Sequence, residues 1–439
     1  MMGRMRLRSL RVRGYRSLYD VTVLPGDLTI LTGPNNSGKT NFVEAIDFLA
    51  EAYRHGPEVA VNRKGGIENI AHRRSSRTRR PISFEVVCSI SMEEIQHRLL
   101  YETNRRRQQP DKRRLLVSHR FSIGSTSQAI EADFAITEEE ITISESLPNP
   151  RSRSAAERVT EIATITRAGG EITPTVTPRL SRFRHLIGPL GDKEFISYIK
   201  SYLTNTDLLI RRFGFSAATV YFVQQFGASR LYQLVPIECR RPGVPTPNAD
   251  VERHGNNLPA MVAYMHRHDP DTWRTILDAI RRILPDLEAV NTDFTPDRRL
   301  ALQFVEKGVR RTWSSEDISD GTIQSLALFT VLYDKRIPLL LIEEPENSIH
   351  SWAIRNFLDS CKAVPNKQII LTTHSPSLIS YSRPQNILLA WRRRGQTDIR
   401  PLVDIDQQAE RLWADGETSL FELLDSGVIP QSVPGGTGE

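Results

Sequence analysis

Asp27-Leu28-Thr29-Ile30-Leu31-Thr32-Gly33-Pro34-Asn35-Asn36-Ser37-Gly38-Lys39-Thr40-Asn41 is the stretch on which the reading of this 439-residue chain turns. Leu28, Ile30 and Leu31 are apolar and partly β-branched, the texture of a short buried strand. Gly33 to Thr40 then satisfy G-x-x-x-x-G-K-[ST] at every fixed position. Behind them Phe42, Ala45, Ile46, Leu49 and Tyr53 recur at three- and four-residue spacing, which predicts a helix with one buried face. Strand, glycine loop and helix in that order make an anion cradle. Backbone N–H groups of the loop point inward, and the helix N-terminus adds partial positive charge. Gly33, Pro34, Asn35, Asn36, Ser37, Gly38, Lys39, Thr40 and Asn41 are therefore the expected nucleotide-binding loop. Lys39 is expected at the β- and γ-phosphates, and the Thr40 hydroxyl on Mg²⁺.

Bulk properties narrow the field. The length predicts two or three lobes rather than one core. Cys88, Cys239 and Cys361 lie far apart with no C-x-x-C pair, which points away from a zinc site or disulfide framework. They read as small buried apolar residues in a reducing compartment. The apolar run Ile337 to Ile342 is too short to span a bilayer. Arginines interrupt Met1 to Leu10, where a signal peptide needs an unbroken apolar core. The expectation is a cytoplasmic protein with no membrane partner. The net charge of +6 is clustered: Arg73, Arg74, Arg77, Arg79 and Arg80 form one run, and Arg105, Arg106, Arg107, Lys112, Arg113 and Arg114 another. Such runs suit a phosphate backbone; solvated loop faces explain them equally well. No module with a readable base code is present, so any nucleic-acid contact would be sequence-independent.

Along the chain, residues 4 to 24 predict two strands around Gly14-Tyr15-Arg16-Ser17, lying beside the strand of the glycine loop. From Pro81 to Thr177 the texture is β: Ile82–Val87, Leu115–Ile123, Ala129–Ile143 and Val159–Ile172 alternate or are β-branched, with loops at Asn104–Arg114 and Ser146–Ser154. Arg182–Arg212 and Leu258–Leu284 turn helical. Between them, Arg240–Pro247 carries three prolines and must be a loop.

Four features return late in the chain. Leu300–Val305 reads as a strand. Ser319-Asp320-Gly321-Thr322 opens a helix, where free N–H groups and an outward hydroxyl would offer a second anion site, although a plain N-cap explains it as well. Leu339–Ile342 is a buried strand delivering Glu343 and Glu344 at its C-terminal end, where open α/β sheets bind ligands. Buried acids need partners. Phosphoryl transfer supplies one: Glu343 is expected on the metal side, and Glu344 as general base on the attacking water. Strand alternation points the two side chains apart unless the chain turns at Glu344, and Pro345 fits that break. Finally, Ile369–Thr373 is a strand leading to His374, the expected γ-phosphate sensor, with His350 a weaker candidate that braces its loop.

In this order the motifs resemble the ABC-type ATPases of the RecF/SMC-like and OLD-like group, in the branch described as AAA-family ATPases with an insertion. The matching pieces are Leu10–Leu18, Gly33–Thr40, Ser319–Thr322, Ile342–His350 and Thr372–Pro376, covering roughly the first 90 and last 140 residues. The resemblance implies an α/β fold: a P-loop ABC-type ATPase head, with a mixed sheet, flanking helices and an antiparallel β lobe, carrying an inserted α/β-helical subdomain. The expected division is head from 1–90 and 299–439, β lobe over 91–180, and mainly helical insert over 181–298. It also implies ATP and Mg²⁺, and heads that pair face to face so that Ser319 and Gly321 of one chain touch the γ-phosphate held by the other. Glu343 stands where many relatives have Asp, and the usual glutamine loop is not located. Residues 387–439 are too short for the nuclease domain of OLD-type relatives, so an effector would be a separate polypeptide. The implied function is an ATP-driven switch gating a partner, as in phage-defence modules. A RecF-like DNA-maintenance ATPase and a nucleotide-stabilised scaffold with negligible turnover are the alternatives.

Overall fold

The computed structural model describes residues 5–72, 80–99, 113–126, 133–148, 157–190, 192–214, 216–406, 419–427 and 429–433. Sixteen strands follow one another among these residues: β1 (Arg6–Tyr15), β2 (Leu18–Val23), β3 (Leu28–Thr32), β4 (Ile82–Ser91), β5 (Arg114–Ser125), β6 (Phe134–Pro148), β7 (Glu157–Ala168), β8 (Glu171–Val176), β9 (Arg230–Tyr232), β10 (Leu287–Phe294), β11 (Leu300–Glu306), β12 (Trp313–Ser314), β13 (Leu339–Glu343), β14 (Gln368–Thr372), β15 (Ile387–Arg393) and β16 (Gln396–Pro401). They are shared between two compact units. One comprises Met1–Gly26, Asn36–Ser229 and Trp391–Ile399; the other comprises Asp27–Asn35, Arg230–Ala390 and Arg400–Glu439.

In the first unit an antiparallel sheet runs β2-β1-β4-β5-β6-β7-β8. Its central strands alternate as a half-buried sheet must: Ile82, Phe84, Val86, Cys88 and Ile90 of β4 are buried, as are Leu115, Val117, His119, Phe121 and Ile123 of β5. The helix Lys39–His55 supplies Phe48, whose ring stacks on Phe84 at 5.5 Å, and Tyr53, which meets Phe222 and Phe226 of the helix Ala217–Gly227 at 5.2 Å each. The expectation that the first two strands lie beside the glycine-loop strand is corrected: β1 and β2 belong to this sheet and β3 to another. Their alternating burial suits an antiparallel sheet with one wet face, whereas β3 is buried at every residue and suits a parallel one. The expected loops also shorten, since Arg114 opens β5 and Ser146 to Pro148 end β6.

In the second unit the strand order is β16-β15-β3-β14-β13-β9. From β15 through β9 all pairings are parallel. β3, β13 and β14 are buried throughout. The helix Asp320–Tyr333 is buried along its whole length from Thr322 to Leu332, and its Phe329 meets Phe357 of the helix Ser351–Ala363 at 5.9 Å. A smaller antiparallel sheet, β10-β11-β12, packs with the helices Leu258–His268 and Pro270–Arg281. The three cysteines are free and buried, and burial raises every thiol, Cys239 to about 12. Among the described residues no helix is long and apolar enough to cross a membrane. This is the α/β architecture expected of a P-loop ATPase head with an antiparallel lobe.

Candidate nucleotide site

Parallel register decides which loops share an edge. Leu31 on β3 is level with Thr372 on β14, and Thr372 is level with Glu343 on β13. Two strand spacings separate Leu31 from Glu343, about 10 Å. The glycine loop, the acidic pair and the Thr373-His374 loop therefore all leave the carboxyl edge of one sheet. β9 adds a fourth loop, because Tyr232 pairs with Ile342 and the next residue, exposed Gln233, follows level with Glu343.

The glycine loop begins in the second unit at Gly33 and passes into the first at Asn36. Gly33 (φ +139°) lies so close to Ala390 that a Cβ would come within 1.9 Å of its carbonyl oxygen. Pro34 is half-buried, Asn35 is exposed, and Asn36 takes a left-handed φ of 63°. On the other side, a Cβ on Gly38 (φ +102°) would lie 2.0 Å from Thr397 Oγ1 and 2.9 Å from Ser17 Oγ. Those two hydroxyls are 2.7 Å apart; Thr397 donates to the Ser37 carbonyl at 2.8 Å, and the Asn41 side chain donates to Ser17 at 2.7 Å. Asn41 thus joins the pair of hydroxyls beside the loop. Lys39 is 7% exposed and donates to Ser37 Oγ at 3.4 Å, while Thr40 is exposed. At each of these glycines a side chain would collide with its neighbours, so only glycine fits.

Glu343 is 5% exposed, and Arg253 donates to its Oε2 at 3.2 Å. Glu344 has a left-handed φ of 47°, the turn that the adjacent acids require. Its N–H donates to Thr372 at 2.9 Å, and Asn347 donates to its carboxylate at 3.0 Å. Glu346, not singled out from sequence, reaches across to the neighbouring loop: Oε1 accepts from Thr373 Oγ1 at 2.5 Å and from the N–H of His374 and Ser375 at 3.1 Å each. Burial raises its carboxyl above the ordinary value; the Thr373 hydrogen bond works against that rise, and Glu344 adds to it. His374 itself is exposed at the strand end. His350 caps the helix Ser351–Ala363, its Nδ1 accepting from the Trp352 N–H.

Ser319 does not aim its hydroxyl outward: Oγ accepts from the Thr322 N–H at 3.3 Å and bonds Thr322 Oγ1 at 2.9 Å, an N-cap on the helix Asp320–Tyr333. Arg240 holds this turn through the carbonyls of Ser315 and Ile318 and the carboxylate of Asp320. A Cβ on Gly321 would stand 2.8 Å from the Ser348 carbonyl oxygen, so close packing inside the chain already demands glycine there. Of the arginine runs, Arg73, Arg74, Arg77, Arg79, Arg105, Arg106, Arg107 and Lys112 lie outside the described residues.

The Glu343 carboxylate is a hard oxygen donor of the kind Mg²⁺ takes, and no group of three or more His, Cys, Asp or Glu among the described residues could hold a metal alone. Mg²⁺ typically takes only one or two protein oxygens and fills the rest with phosphate and water. Gln233 was not legible in the sequence because β9, which it follows, is three residues long and carries no pattern. Nor was the brace of Ser17 and Thr397, because single hydroxyls far apart carry no signal.

A curated relative, the DNA replication and repair protein RecF of Corynebacterium jeikeium (strain K411), is 42% identical over 72 residues, which is 16% of this chain and 16% of that protein. Among solved structures, an SMC head bound to the C-winged helix domain of ScpA is 10% identical with a TM-score of 0.48, covering 90% of this chain and 97% of that one. The SMC head domain from Thermotoga maritima is 11% identical with a TM-score of 0.39, covering 90% and 98%. The family model described as "AAA domain, putative AbiEii toxin, Type IV TA system" matches residues 28–380, and the chain belongs to that family.

Proposed function

We propose that the chain binds and hydrolyses ATP as a molecular switch whose heads pair, and that opening and closing of the pair gates a separately encoded effector. The observation that carries this reading is the register Leu31–Thr372–Glu343, which puts the start of the glycine loop and the acidic pair on one sheet edge. From Gly33 the chain continues covalently to Lys39 and Thr40. Lys39 serves the β- and γ-phosphates, and Thr40 and Glu343 hold Mg²⁺, which when bound neutralises phosphate charge. Glu344 takes the proton of the attacking water, His374 senses the γ-phosphate, and Gln233 is the glutamine that the sequence did not locate. Arg253 holds Glu343 in place beside them. Ser319 and the N–H groups around Gly321 act on the nucleotide of a second copy, so turnover depends on pairing. The family description, with its Type IV TA system, supports an effector-gating role of the kind found in phage defence.

Glu344→Gln, pulled down with ATP and analysed by mass spectrometry and a nucleic-acid stain, tests the partner half of the proposal. Copurification of an unrelated effector supports the switch. The local similarity to RecF favours one other reading, a DNA-maintenance ATPase. That reading expects turnover stimulated by duplex DNA and falling steeply with salt.

A further inference from the structure

We propose that Glu346 is a positioning residue that fixes the backbone carrying His374 against the turn carrying Glu344, and so sets the His374 side chain for hydrolysis. This rests on the hydrolytic reading above.

The last main-chain bond between the two strand ends is Glu344 N–H to the Thr372 carbonyl, 2.9 Å. Beyond it Glu346 joins the loops after β13 and β14. Glu346 Oε1 accepts from three consecutive residues, Thr373 Oγ1, His374 N–H and Ser375 N–H, and Thr373 Oγ1 itself accepts from Ser375 N–H at 2.9 Å. Thr373 is fully buried, so this is a fixed anchor and not a surface contact. The grip on His374 is on its main chain, which sets where the ring stands without occupying the carboxylate of Glu344. Glu344 is held separately, through Asn347. Glu346 Oε2 is buried with no hydrogen-bond partner among the described residues, a desolvation cost that packing alone does not offset. A carboxylate kept at that cost, between a general base and a sensor on adjacent strands, is placed for alignment. The tolerance is narrow, since misplacing a catalytic group by about 1 Å can cost on the order of 10²-fold in rate.

The test is steady-state ATP turnover of the full chain as wild type, Glu346→Ala, Glu346→Gln, His374→Ala and the Glu346→Ala/His374→Ala double variant. Glu346→Ala is expected to lower kcat by roughly 10- to 100-fold with KM for ATP nearly unchanged. Glu346→Gln keeps an oxygen acceptor for the three donors and should recover most of the rate. The double variant should turn over no more slowly than His374→Ala alone, because Glu346 acts through His374. Multiplying defects in the double variant, or an unchanged kcat in Glu346→Ala, would overturn the proposal. If the alanine variant does not fold, Glu346→Asp replaces it: one methylene short, it should lose rate while Glu346→Gln keeps it, and the reverse order would overturn the proposal. Turnover lost in His374→Ala but kept in Glu346→Ala sinks this inference alone. No turnover in wild type sinks the hydrolytic reading with it.

Discussion

Glu344 stands at φ 47°, where a residue with a side chain costs about 1–2 kcal/mol over an ordinary conformation. Such a cost persists where the surroundings over-determine it, and here the Glu344 N–H is tied to the Thr372 carbonyl at 2.9 Å. Glu344→Gly should therefore be no less stable than wild type, by urea unfolding, while its turnover is lost. A less stable variant would show that the side chain holds the turn instead of straining it. Gly33 makes the opposite case. At φ +139° a Cβ there would stand 1.9 Å from the Ala390 carbonyl oxygen, so Gly33→Ala is expected to cost roughly 2–3 kcal/mol or more, visible as a lower melting temperature. The motif spacing made Gly33, Lys39 and Thr40 legible in the sequence. Glu346 was not, because its role depends on a hydrogen bond between loops 27 residues apart.

At the scale of elements, the P-loop helix is tied to the antiparallel sheet by a buried polar chain. Tyr53 bonds His119 Nδ1 at 2.8 Å, His119 Nε2 bonds Glu139 at 2.9 Å, and Glu139 accepts from the N–H of Leu209 and Ile210 at 2.7 and 3.0 Å. Donor and acceptor roles close if Tyr53 donates to a neutral imidazole that donates in turn to the carboxylate. Glu139→Ala would strand two backbone N–H groups and a ring N–H, at a cost of about 3 kcal/mol; the urea midpoint measures it. A loss under about 1 kcal/mol would mean the chain relaxes around the gap. The strands β4 to β7 were readable, β8 was not separated from β7, and the helix Ala217–Gly227 was not seen. Its Ala218, Tyr221, Phe222 and Phe226 are all buried and its sequence is apolar nearly all round, which erases the amphipathic period. Placing β1 and β2 beside β3 failed because pattern reveals a strand but not its partner.

For the whole molecule, the proposed pairing of heads makes Ser319 the discriminating position. Asp is as good an N-cap as Ser, so Ser319→Asp should keep the helix Asp320–Tyr333 while setting a negative charge against a partner's triphosphate. Its ATP affinity should stay near wild type, yet light scattering should find no ATP-dependent dimer, and turnover should drop at least about tenfold. Dimer formation and full turnover in that variant would rule out action in trans. The account as a whole stands on one convergence, the glycine loop and the acidic pair serving a single nucleotide. The direct measurement is MgATP binding and turnover side by side in wild type, Lys39→Ala and Glu344→Gln. Lys39→Ala should lose about 100-fold in affinity, roughly 2.7 kcal/mol, whereas Glu344→Gln should bind ATP as tightly as wild type and hydrolyse it about 10²–10⁴-fold more slowly. Turnover that survives in Glu344→Gln, or undiminished affinity in Lys39→Ala, would contradict it.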